Sequence, residues 1–477
     1  MDDELQHEIE SYIDAHWDEV VADIDELVRV ESVEDLEAAT EGAPYGPGPR
    51  EALTRALGIA RRMGLRVHDC EGHVGYADLP GRSETQIGII GHVDVVPAGT
   101  GWNYPAHEVT RKDGYLIGRG VLDDKGPLVV ALHAVKFWRD RAAAAGEQLP
   151  YTVRVLFGAN EETNMKDVDY YRAHHDDPAF LFTPDSQFPV GYGESGICSG
   201  TLKSGVFYGG SIVEFEGGQA FNAVAAQASA IVRQGRYPFD DGDYDEIQVE
   251  EYRGDIARIT AAGKAAHAST PELGRNAIGI LVDYLLENEA GSDAERAFLE
   301  LLQKLHGATD GSALGVACED EHFGALTAVG GLARLEKIDL NKGRLCQTID
   351  FRYPTTITSA EIEKRMQALA AEIGATFTME HDKTPFLMDP ESPAVRALLD
   401  AYNEATGENR SGVTSKGGTY ARMFTTGVSF GVEKPWEEQP SWVGSMHGPD
   451  EGVGEGALKQ AFSIYARTLG KLMKLDL

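Results

Sequence analysis

Two histidines and a set of carboxylates stand in this chain where short apolar runs end. After QIGII (86–90) comes Gly91-His92-Val93-Asp94, and after the Gly-Arg-Gly turn at 118–120 comes Asp123-Asp124. After YTVRVLF (151–157) comes Asn160-Glu161-Glu162, after FLFT (180–183) comes Asp185, and far downstream SMHGPDE carries His447. Singly, each has an ordinary explanation: a satisfied histidine, a helix cap at Asp124, a solvent-facing glutamate pair. Jointly they do not, because chance would have to place every one of them at a strand end. Imidazole with carboxylate and no thiolate suits zinc, manganese or cobalt rather than a cysteine-built structural site. The set exceeds what one tetrahedral ion needs, and a carboxylate bridging two ions about 3.5–4 Å apart accounts for the surplus. Asp94, two residues after His92, can accept the second imidazole N–H and fix its tautomer. Of two adjacent glutamates in an irregular turn, one can bind metal while the other faces the attacking water.

Such groups need elements that bring strand ends together. Residues 86–185 alternate strand, helix (127–138), strand, helix and strand, a rhythm that predicts a mostly parallel sheet flanked by helices, with loops at its carboxyl ends. Pro127 suits the first turn of its helix, and Leu128, Ala131, Leu132 and Val135 give it an apolar face. The rhythm returns with helix 392–406, strand 427–432 and helix 456–474. Between lies a stretch of β-like runs (SIVEFEGG, IARITAAG, CQTIDFRYP) and helices such as EIEKRMQALAAEIGA. The expected architecture is therefore α/β: a catalytic domain of residues 1–193 and 384–477, with an inserted α+β domain at 194–383. The acidic run DDGDYDE at 240–246 lacks the glycine and glutamate of a calcium loop and reads as a solvated turn.

Composition bounds the partners. The 477 residues hold 77 acidic against 43 basic side chains, a formal charge of −34, which argues against nucleic acid or an anionic membrane surface. Cys70, Cys198, Cys318 and Cys346 form no CxxC pair, and the amphipathic start with Leu5, Ile9, Ile13 and Trp17 is a packed helix rather than a signal peptide. No apolar run is long enough to span a bilayer, so the expected location is the cytoplasm.

The motifs HVDVVPAG, GRGVLDDKGP, NEETNMKDVDYY, TPDSQFPVGYGESG, GKAAHASTPELGRNA, DFRYP, KGGTYAR and MHGPDEG follow one another through nearly the whole chain. Together they resemble the co-catalytic aminoacylase/carboxypeptidase family of metallopeptidases, most of all its PepV-like (Sapep-type) dipeptidase branch. The resemblance implies a cofactor of two divalent ions, zinc or manganese and in principle cobalt. His92 would ligate one ion, Glu162 one ion and Asp185 the other, with His447 the last ligand, Asp123 bridging both and a cis peptide at Asp123–Asp124. It makes Glu161 the general base, with Asp94 orienting His92, and the inserted domain a lid. On that lid His267 would stabilise the oxyanion, and Arg352 with Asn222 would receive the substrate carboxylate. Gly417, Gly418 and Thr419 would line the same pocket; an arginine fork and a Gly-Gly-Thr turn independently suit an anion. The implied reaction is hydrolysis of short unblocked peptides through a metal-bridged water. The enlarged lid implies that His267 acts within its own chain, so a monomer suffices, while a homodimer stays open. Two departures fall near the substrate pocket: Lys416 where the family has glycine, and Ala-Val-Ala-Ala-Gln after Asn222 where the branch has a Met-Val-Pro-Asp run.

The alternative on the same scaffold is an aminoacylase acting on N-acyl amino acids. A nicotinamide-binding reading of Gly191-Tyr-Gly-Glu-Ser-Gly196 fails because no helical period follows. A serine-hydrolase elbow at Ser195 fails because Ile197 stands where it needs glycine.

Overall fold

The computed structural model describes residues 3–233, 239–240, 244–339 and 341–477, and the centre of the acidic 240–246 run lies outside them. The chain divides into two units: Met1–Gly193 with Leu387–Val413 and Gly418–Leu477, and Glu194–Phe386 with Thr414–Gly417.

In the first unit the apolar runs become sheet strands buried on both faces. Ile87 and Ile89, Val153 and Val155, and Phe180 and Phe182 point into one large core, while Ile90, Leu156 and Leu181 point into a smaller core on the opposite face. That two-residue alternation, apolar on both sides, is what a sheet covered twice requires. Strands Tyr151–Gly158, Ser83–His92, Phe180–Thr183 and Gly427–Ser429 pair in parallel, in that spatial order. Antiparallel strands flank them. The hairpin Arg66–Cys70 and Val74–Leu79 joins Tyr151–Gly158, and Gly191–Glu194 joins Gly427–Ser429. The parallel centre matches the βαβ rhythm, and the antiparallel flanks make the complete sheet mixed.

Helices Asp3–Val28, Lys125–Ala145, Pro393–Thr406 and Glu455–Leu472 pack on the large-core face through Trp17, Leu128, Leu132, Leu398, Phe462 and Leu469. Helix Lys125–Ala145 extends well past the expected residue 138, because helix-forming residues continue until Gly146 turns left-handed (φ 67°) and caps it. On the other face, Val168 and Tyr171 of helix Lys166–His174 pack with Tyr420 and Phe424. No helix among the described residues is long and apolar enough to cross a membrane, and the four cysteines are free thiols.

The second unit is a sheet of antiparallel strands, ordered Ile247–Arg253, Ile256–Ala262, Gln227–Arg233, Ile212–Gly217, Thr327–Asp339, Lys342–Tyr353, Gly196–Lys203 and Thr376–Lys383. Helices Ala277–Glu287, Asp293–Gly307 and Ser359–Glu372 share its core through Leu281, Leu299, Leu302 and Ile362. The last two start with reciprocal capping boxes, Ser292 with Glu295 and Thr358 with Glu361. The GxGxxG run becomes parts of two strands, Gly191–Glu194 and Gly196–Lys203, with no helix after it, which removes the dinucleotide reading.

Candidate metal centre

The parallel strands end together, so the residues after them converge. His92 closes one strand opposite Gly158, the last residue of its neighbour, and Asp185 follows the next strand at Thr183. Two triads result, His92–Asp123–Asp185 and Asp123–Glu162–His447, each with its ligand atoms within 4.8 Å of one another. Asp123 belongs to both. Its Oδ1 lies 2.9 Å from His92 Nε2 and its Oδ2 2.8 Å from His447 Nε2. Glu162 Oε2 is 3.0 Å from His447 Nε2, and Asp185 Oδ2 is 3.7 Å from His92 Nε2. The peptide bond between Asp123 and Asp124 is cis.

Asp124 occupies the N-cap position of helix Lys125–Ala145, yet its side chain makes no capping bond. It is turned instead to the backbone N–H of His92, at 3.2 Å, and is fully buried. This fixes Gly91: a Cβ there would come within 2.2 Å of Asp124 Oδ2 and 3.0 Å of Leu128. Gly91→Ala is therefore expected to lower stability by about 1–3 kcal/mol, the usual range for forcing one methyl into a packed interior. Denaturant midpoints measure it, and a midpoint equal to that of the native chain would contradict the packing.

The partner of His92 differs from the expectation in one respect. Nδ1 lies 3.0 Å from the main-chain carbonyl of Asp94 and 3.5 Å from its carboxylate. The carboxylate is committed elsewhere: Oδ1 accepts the N–H of Glu161 at 3.2 Å and Oδ2 that of Glu162 at 3.1 Å. Asp94 thus orients the imidazole through its backbone and the glutamate turn through its side chain.

Several positioning groups had no expectation attached. Buried Glu451 accepts the backbone N–H groups of Gly120 (2.9 Å), Leu122 (3.1 Å) and Asp123 (3.2 Å), and pairs with Arg119. Arg119 in turn donates to the carbonyls of His447 (3.1 Å) and Gly448 (3.3 Å). The pair straps the loop of Asp123 to the loop of His447. Asp167 accepts from the N–H groups of Ala159 (2.7 Å) and Asn160 (3.2 Å) and from the Tyr420 hydroxyl, anchoring the glutamate turn from below. GRG and the DE of MHGPDE are signals that a buried Arg–Glu pair was available, though nothing in their spacing joins them.

Electrostatically the centre holds more acid than base. Burial and the charges of Glu162, Asp123 and Asp94 raise Glu161 well above the usual carboxylate range; burial and Asp123 raise Glu162, and burial and Asp123 raise Asp185. Burial works against charge on the histidines too, but hydrogen bonds to Asp123 and Asp94 lift His92 far above its ordinary value, and Asp123 and Glu162 lift His447 to about 11. Protonated imidazoles thus lie in direct contact with these carboxylates, with buried Lys125 and Arg119 further positive charges near Asp94 and Glu451. Divalent ions fit this donor set: they would bring the missing charge and leave both imidazoles neutral, as ligands must be.

In the second unit the expected residues also cluster. Ala223 pairs with His267, and the carbonyl of Asn222 accepts the N–H of Ala268 at 2.9 Å. Thr327, opposite Arg352 in the sheet, donates its hydroxyl to the Ala268 carbonyl at 2.9 Å. His267 is exposed, with Nδ1 2.8 Å from Ser269 Oγ. Arg352 is buried, and Asp350 already takes one edge of its guanidinium (Nε–Oδ1 2.7 Å, NH2–Oδ2 3.2 Å) while NH1 donates to the Lys416 carbonyl at 3.0 Å. The guanidinium is thus oriented, with one edge committed to Asp350. The Gly-Gly-Thr nest is likewise partly used: the Gly417 N–H donates to Ser415 Oγ at 2.9 Å, and Thr419 caps the short 3₁₀ turn Tyr420–Met423. Gly417 belongs to the second unit, Gly418 and Thr419 to the first.

A profile of Peptidase family M20/M25/M40 matches residues 88–471. A putative dipeptidase of Staphylococcus epidermidis is 30% identical, the alignment covering 96% of this chain and 98% of that protein. A Beta-Ala-Xaa dipeptidase of Lactobacillus delbrueckii subsp. lactis is 30% identical over 97% of each. Among solved structures, human carnosine dipeptidase 1 aligns with a TM-score of 0.59 at 16% identity over 99% of both chains. An M20 family metallo-carboxypeptidase from Sulfolobus solfataricus aligns with a TM-score of 0.56 at 16% identity, covering 96% of this chain and all of that one.

Proposed function

The chain belongs to peptidase family M20/M25/M40, and from that membership we propose a metal-dependent dipeptidase that cleaves short unblocked peptides. The observation that carries the reading is the shared Asp123, one oxygen toward His92 and the other toward His447. His92 and Asp185 would hold one divalent ion and Glu162 and His447 the other, with Asp123 shared between the two groups. The chemistry two such ions would supply is polarisation of the scissile carbonyl and a lowered pKa for the attacking water. Glu161, a ligand in neither triad, takes the water proton and returns it to the leaving amine. Asp94 keeps that glutamate and its neighbour in register. His267 donates to the developing oxyanion, an interaction of the kind worth about 2.7–4 kcal/mol. Arg352, braced by Asp350, binds the substrate carboxylate with Asn222, and Gly417, Gly418 and Thr419 offer backbone groups to it.

Zinc or manganese is the proposed metal, with cobalt a workable substitute, and the cytoplasm the proposed location. A monomer is the proposed active form, His267 serving its own chain. The expected result is hydrolysis of free dipeptides that stops on chelation and returns with manganese or zinc. Faster turnover of N-acetyl amino acids than of dipeptides would replace this reading with the aminoacylase one.

A further inference from the structure

A second group of metal-type ligands lies at the far edge of the first unit's sheet. His68 and Cys70 stand two apart on strand Arg66–Cys70 and so share a face, and His175 follows helix Lys166–His174. The ligand atoms of all three lie within 4.8 Å of one another, with Cys70 Sγ 3.6 Å from His175 Nε2. None of them belongs to the centre around Asp123.

The setting suits an ion. Cys70 is 4% exposed, at the rim of the core formed by Val74, Leu156 and Tyr171, whereas His68 is exposed and His175 half-buried. A buried sulfur under two imidazoles open to solvent gives both a fixed floor and an entry path. The rings are held: His175 stacks on Tyr171 at 4.9 Å and meets Tyr76 edge-on at 5.4 Å, while His68 lies against Tyr76 at 5.0 Å. The cation beside them, Arg154, is bound at both ends by Asp78, each contact 2.8 Å. Asp69 and Glu71 add acidic charge around Cys70, and Asp176 does so at His175.

We propose that His68, Cys70 and His175 form a separate metal site that takes one zinc ion, with the fourth position left to water. A mixed sulfur–nitrogen set favours a soft or borderline ion, so it selects zinc over the harder manganese. On binding, the Cys70 thiol gives its proton to solvent and the imidazoles bind as neutral rings. Burial holds that thiol up, to about 11, so the ion itself must drive the proton off.

The test is cobalt and zinc loading of the full chain after chelation. Cobalt should produce a sulfur-to-metal charge-transfer absorption in the near ultraviolet, which the nitrogen–oxygen centre at Asp123 cannot give. Cys70→Ser should abolish it and lower zinc content by one equivalent while dipeptide turnover stays at the native rate. His175→Gln, at a less buried position, should retain the thiol and still weaken zinc at this site at least tenfold. A charge-transfer band that survives Cys70→Ser, no band at all in the native chain, or unchanged zinc content in both variants would overturn the proposal. Because turnover is read separately, failure here leaves the dipeptidase reading standing, and loss of that reading leaves this one standing.

Discussion

Replacing Glu161 with alanine is expected to lower kcat/KM by about 10²–10⁴-fold, the range of a lost general base, while both catalytic ions stay bound. Glu161 stands beside Glu162, which belongs to the triad with Asp123 and His447, but its own side chain is in neither triad. Its backbone is pinned by Asp94 Oδ1 at 3.2 Å, so the substitution removes a carboxylate without freeing the turn. Burial first, then the neighbouring acids, lift its affinity for a proton above that of a free glutamate, as a group that takes and returns one needs. Metal analysis beside steady-state kinetics decides the matter. Loss of an ion together with activity would make Glu161 a ligand, and an unchanged rate would place the base elsewhere.

Asp123→Ala should have the opposite signature, with both ions and all turnover lost together. Among the described residues, Asp123 is the side chain that reaches both histidines through separate oxygens. Asp185→Ala is the comparison, since it leaves the Asp123–Glu162–His447 triad whole and should retain an ion there. In the metal-free chain Asp123→Ala should also lower stability near neutral pH. Although burial opposes its charge, hydrogen bonds from His447 and His92 hold Asp123 well below the usual carboxylate range. A carboxyl depressed in the fold stabilises above its unfolded value, and that contribution fades as pH falls toward the folded one. His447, raised to about 11, stabilises fully below its ordinary value and loses that as pH climbs toward 11. Removing Asp123 takes away a partner on which both effects depend. Denaturant midpoints across pH, with chelator present, would show it, and coincident curves for the two proteins would contradict it.

His92, Glu162 and Asp185 were legible because each follows an apolar run that becomes a central strand of a doubly covered sheet, whereas Asp123 and His447 stand in turns that no such run announces. Ile87 to Ile90 and Phe180 to Phe182 announce where their strands end, and the chemistry comes next. The hairpin 66–79 was not legible. Its first strand buries only Cys70, so RVHDC carries no alternation to read. The choice of Asp123 over Asp124 came from the motif resemblance rather than spacing, since both are buried acids in one turn. Glu451, Arg119 and Asp167 went unassigned for another reason. A buried acid that serves loop N–H groups has no periodicity, and its partners are remote in sequence. Asp350, by contrast, sits two residues before Arg352 on one strand, so their pairing could have been read from DFRYP.

Asp94 shows what such economy of parts entails. Its carbonyl faces the His92 ring, and its carboxylate accepts the backbone N–H groups of Glu161 and Glu162. The two tasks fall on separate parts of one residue: a replacement at 94 keeps the main-chain carbonyl beside His92, whereas any side chain without two acceptor oxygens releases one or both N–H groups of the glutamate turn.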